Sequence, residues 1–131
     1  MTSLRRSSFA VALLGALGGC TDPLSDKALP NGTYPLVAVE FSPLPYRGPT
    51  AITLRGSLVL TSGAGYTLTQ TDSALTASAP VEFRSTGHWS LTDNALVLHD
   101  ASGQAIYLGV VAGVDTVRVN FSSRTNLYVR Q

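Results

Sequence analysis

The sequence predicts an all-β fold, a small antiparallel up-and-down barrel of eight or nine strands, with a small β-sandwich as the alternative. From Gly32 onward Thr, Val, Leu, Ser and Tyr dominate, and Gly, Asn and Asp interrupt them at short intervals, the pattern of many short strands. Apolar and polar residues alternate with a period of two, so each strand has one buried and one wet face. No stretch of this region carries a helical apolar period. Sequential hairpins that all bury one face favour closure, because a closed sheet has no exposed edge.

The first strand is Tyr34 to Phe41. Pro35 has no N–H to donate, so this strand starts at an edge or closes the barrel imperfectly. In the second, Ile52, Leu54, Gly56, Leu58 and Leu60 are expected to face inward, and Thr53, Arg55, Ser57, Val59 and Thr61 outward. Ser62-Gly63-Ala64-Gly65 then turns into Tyr66, Leu68 and Gln70, and a further strand carries Val81 and Phe83 inward. Asp93-Asn94 makes a two-residue turn that sets Trp89 opposite Leu98 and Leu91 opposite Leu96. The last three strands bring in Ile106, Leu108 and Val110, then Val117, Val119 and Phe121, then Leu127 and Val129. Gly32, Gly65 and Gly87 each stand shortly before an aromatic, which reads as a glycine ending a turn. Tyr34, Tyr66, Trp89 and Phe121 are therefore expected in the core, and the mostly Leu, Val and Ile inward set predicts a filled interior.

The first 20 residues have a different character. Arg5 and Arg6 form a positive head, residues 9–17 are apolar, and Leu17-Gly18-Gly19-Cys20 follows. The apolar run is too short to span a bilayer, which takes about 20 residues. This segment resembles the lipobox signal peptide of bacterial lipoproteins. The resemblance implies cleavage between Gly19 and Cys20 and covalent lipid on the Cys20 thiol, which acts as a stable membrane anchor. Thr21 after the cysteine implies the outer membrane, facing the periplasm, as the destination. The domain organisation is then 1–19 as cleaved signal peptide, 20–31 as lipidated cysteine and flexible tether, and 32–131 as a single β-barrel domain. Cys20 is the sole cysteine, so no disulfide supports the fold.

Without Arg5 and Arg6, seven of the nine basic side chains remain against eight acidic ones, a formal balance of minus one. That balance provides no basic footprint for nucleic acid. Gly32-Thr33-Tyr34-Pro35-Leu36, Pro43-Leu44-Pro45, Gly87-His88-Trp89-Ser90-Leu91 and Leu96-Val97-Leu98 resemble the small lipocalin-like lipoproteins of bacterial envelopes. In that family a first-strand aromatic is packed by a late arginine, which implies a pairing of Tyr34 with Arg130.

Among chemistry-bearing residues, the proposed hairpin sets His88 directly opposite His99. Two imidazoles fall short of the three or four protein ligands of a zinc site, so they are the weak candidates for a metal and a solvated pair is the default. Asp72, Asp93, Asp100 and Asp115 read as turn residues that cap their own backbone. No serine sits in a hydrolase-type elbow. The chain reads as non-enzymatic, with no cofactor beyond the lipid on Cys20. Residues 42–50, stiffened by three prolines, form the candidate binding loop through Tyr46 and Arg47, and Leu44 and Tyr46 are expected to close one end of the barrel. The leading function is a lipid-anchored interaction module that binds an envelope protein or cell-wall component through its loops. The alternative is a lipocalin-like carrier of a small apolar ligand, which needs a cavity of about 300 Å³ or more.

Overall fold

A computed structural model describes residues 31–76 and 79–131. The signal peptide, Gly19, Cys20 and all of the tether but Asn31 lie outside the described residues. Among the described residues ten antiparallel strands form: β1 (Gly32–Val39), β2 (Ser42–Pro43), β3 (Tyr46–Arg47), β4 (Ala51–Leu60), β5 (Gly65–Ala74), β6 (Val81–Thr92), β7 (Ala95–His99), β8 (Ala105–Ala112), β9 (Thr116–Phe121) and β10 (Arg124–Val129). Eight of them pair in chain order, and β1 closes the ring by pairing with both β4 and β10. The fold is therefore the up-and-down barrel, not the sandwich. The ninth run disappears because residues 81–92, read as two strands, form one continuous β6.

Closure at β1 is imperfect in the way Pro35 demands. β1 pairs with β4 only over Gly32 to Pro35 and with β10 only over Leu36 to Val39, with a bulge between Leu36 and Ala38. This leaves a slit between the upper halves of β1 and β4. The intervening loop fills it, with β2 pairing on Ala38 and Val39 and β3 pairing on Ile52 and Thr53.

Bulges also reset which residues point inward. The expected β4 pattern holds for Gly56, Leu58 and Leu60, but a register shift between Thr53 and Arg55 inverts it above that point. Thr53 is buried there, and Ile52 and Leu54 are only half-buried. On β8 the expected phase is wrong along the whole strand. Tyr107, Gly109 and Val111 face inward, while Ile106, Leu108 and Val110 lie outside at 38%, 59% and 46% exposure. The shift between the pairs Leu98↔Tyr107 and His99↔Ala105 sets this phase. A Cβ on Gly109 would stand 2.6 Å from the Arg118 carbonyl, so this inward position has no room for a side chain. On β10 the buried residues are Asn126 and Tyr128, not Leu127 and Val129.

The hairpin at Asp93-Asn94 has the predicted register, with Trp89 opposite Leu98 and Leu91 opposite Leu96. Gly87 does not end a turn. It sits inside β6, where a side chain would collide with the His99 carbonyl and the Tyr66 ring.

Alternating strand directions place the connections at two ends. Asn31, the turns at 61–64, 93–94 and 113–115, and Arg130 share one end. The 40–50 loop, Leu75, the 100–104 turn and Ser122-Ser123 share the other. The first end is filled: Tyr34, Leu58, Leu60, Tyr66, Leu96, Leu98, Val117 and Tyr128 are buried in one cluster, each large side chain contributing about 1.5–3 kcal/mol. Trp89 covers its rim, donating its indole N–H to the Thr61 carbonyl at 3.1 Å.

Candidate functional site

The second end holds a cavity of about 370 Å³. The expectation of a filled interior therefore fails in the upper half of the barrel. The alternation that buries Leu68 carries Gln70 and Asp72 inward above it, and the alternation that buries Tyr128 carries Asn126 and Arg124 inward on β10. These polar side chains cannot fill the space as leucines do.

A polar bridge forms the floor. Asn126 is 2% exposed, and its Nδ2 donates to Gln70 Oε1 at 3.1 Å and to the Tyr128 hydroxyl oxygen at 3.2 Å. β10 and β5 are not neighbours in the sheet, so the first of these bonds crosses the barrel interior. Gln70 Nε2 in turn donates to both oxygens of Asp72 at 3.1 Å. Burial pushes the Tyr128 hydroxyl far above the ordinary phenol range, so it is a neutral acceptor for Asn126.

Above this floor the walls differ. Phe83, Tyr107 and Phe121 supply an aromatic side, the last two with centroids 4.7 Å apart and planes tilted by 56°. Asp72 on β5 and Arg124 on β10 supply a polar side, each two residues above its floor residue. Among the described residues no ion pair joins them and no hydrogen bond is made by the Arg124 guanidinium. Its one partner among them is the Tyr46 ring, 5.6 Å from guanidinium carbon to centroid. Val81 and Phe83, expected inward, stand at this mouth with 67% and 49% exposure.

The candidate loop thus divides. Tyr46 reaches the site through Arg124, and Leu44 and Tyr46 pack on the core as the expected lid, whereas Arg47 is exposed and outside the cavity. Thr53 Oγ1, buried opposite Tyr46 in the β3–β4 ladder, has no hydrogen-bond partner.

Asp72 is a strand residue facing the cavity, not a turn cap. Asp100 does cap its turn: one carboxylate oxygen accepts from the Ser102 hydroxyl and from the Ser102 and Gln104 amides, which holds its carboxyl below the usual range. Gln70, Asp72, Asn126 and Arg124 were missed as a site. The available signal was a polar residue at every second position continuing an inward apolar series.

His88 and His99 are register partners, as predicted. The His99 ring nitrogens, however, lie 3.0 Å from Ser90 Oγ and 3.3 Å from the Gly103 carbonyl oxygen. Among the described residues no three His, Cys, Asp or Glu side chains gather as a metal site.

At the filled end Arg130 lies over the Tyr34 ring, 5.6 Å from guanidinium carbon to centroid, the pairing implied by the first-strand aromatic. It also donates to the Asn31 carbonyl at 2.7 Å and the Val114 carbonyl at 3.0 Å. This plugs the end where the described chain begins. Comparison with known protein families, curated proteins and solved structures finds no match for this chain.

Proposed function

We propose that this protein is a lipid-anchored, non-enzymatic envelope lipoprotein whose barrel binds a small amphiphilic molecule in its open end. The observation that carries this reading is the cavity itself. Its volume of about 370 Å³ lies in the range of small-molecule sites, about 300–1,000 Å³, and it pairs an aromatic wall with a few polar groups. A binding module that worked through its loops alone would not need such a volume, so the carrier reading gains over the leading sequence-based one. Arg47 keeps the loop reading open, since it is exposed beside the mouth.

A tether from Cys20 would join the barrel at the filled end, where Asn31 lies, so the lipid anchor need not pass through the cavity mouth. The lipobox also supports export and an outer-membrane location. Binding is tested with the neutral fluorophore N-phenyl-1-naphthylamine. Saturable enhancement is expected with the wild type and should be lost in Ser123→Trp, which places an indole at the rim. A wild type that shows no saturable enhancement overturns the cup. The anchor is tested by palmitate labelling: Cys20→Ser is expected to lose the label and become soluble in the periplasm.

A further inference from the structure

We infer that the ligand is a small zwitterion carrying a ring-bearing apolar tail. This rests on the cup reading above and adds the ligand's chemical class. Three features of the mouth point the same way.

Arg124 presents N–H donors that no acceptor occupies among the described residues, while Tyr46 holds one face of its guanidinium. A planar fork of this kind matches a carboxylate bidentately. On the same polar side, Asp72 accepts, among the described residues, only from Gln70 Nε2, and its carboxylate has further lone pairs and no cationic partner there. A ligand with a single negative charge would meet Arg124 but also face Asp72. A ligand with a single positive charge would meet the reverse problem. A zwitterion pairs both groups at once, and pairing is what makes charge in a recessed site tolerable.

The third feature is the aromatic wall. Phe121 is the register partner of Arg124 and carries Tyr107 against it, so a ring attached near the ligand's carboxylate would meet Phe121, Tyr107 and Phe83. The Gln70–Asn126 bridge closes the floor beneath. An aromatic amino acid or a dipeptide ending in one is the simplest molecule with these parts.

The experiment displaces N-phenyl-1-naphthylamine from the wild-type barrel with L-tryptophan and glycyl-L-tryptophan, and with their amide and N-acetyl forms. At least one zwitterion is expected to displace the fluorophore, and capping either of its ends to weaken displacement about tenfold. Arg124→Gln should abolish the discrimination against the amide but not against the N-acetyl form, and Asp72→Asn should do the reverse. Retained fluorophore binding certifies each variant as folded; for a variant that fails this check, the capped and uncapped comparison in the wild type decides. Capped forms that compete equally well, or a bound fluorophore that neither zwitterion displaces, overturn the zwitterion and leave the cup standing. A wild type that never binds the fluorophore overturns both.

Discussion

The two ends of this barrel are built from the same eight strands yet do opposite things. At the filled end Leu58, Leu60, Leu96, Leu98 and Val117 meet in the middle, and Arg130 covers the opening. At the mouth the same strands bring in Gln70, Asp72, Asn126 and Arg124, and a cavity of about 370 Å³ is left. Barrel width is set by strand number and stagger, so whether a layer is solid or hollow depends on the size and polarity of the side chains it receives.

Truncation should separate the ends most sharply. Leu98→Ala, at a site with 0% exposure, is expected to lose about 2–5 kcal/mol in urea denaturation, whereas Phe83→Ala at the mouth should lose under about 1 kcal/mol. Equal losses would mean that the mouth is as tightly packed as the base. The polar floor should follow a different rule. Asn126→Leu alone leaves Gln70 Oε1 without its donor and should destabilise by about 1–3 kcal/mol, while the Gln70→Leu/Asn126→Leu pair should recover much of that loss. A double variant as unstable as the sum of the singles would remove the bridge as an energetic unit.

The smallest effect, per pH unit, belongs to the junction between the ends. Burial raises the Tyr128 hydroxyl in the folded protein, so the unfolded chain loses this proton first, near pH ~10. The associated stability is complete below that value and declines above it, by at most about 1.4 kcal/mol per pH unit for this group. Tyr34 and Tyr107 are shifted the same way by burial. Thermal melts above pH 10 should therefore fall more gently for Tyr128→Phe than for the wild type. Identical slopes would discount the burial of this phenol.

Legibility followed the clarity of alternation. The Trp89–Leu98 hairpin was readable because a two-residue turn fixes register and polar residues mark its outer face. β8 was not, because Ile106, Tyr107, Leu108, Val110 and Val111 leave an almost unbroken apolar run around Gly109, and either phase satisfies a period of two. Thr53 escaped notice for a related reason: a one-residue bulge reverses every side chain beyond it, and nothing in Ile52-Thr53-Leu54 announces it.

Composition and period by themselves determined an all-β chain of sequential hairpins, because turn residues and alternation act over a few neighbouring positions. They also placed Tyr34 and Tyr66 in the core. The tertiary structure alone decided the two bulged phases, the use of the 40–50 loop to fill the slit beside β1, and the meeting of Gln70 with Asn126 56 residues apart. These depend on which strands become neighbours and at what stagger when the ring closes, a long-range condition that no local window of sequence contains.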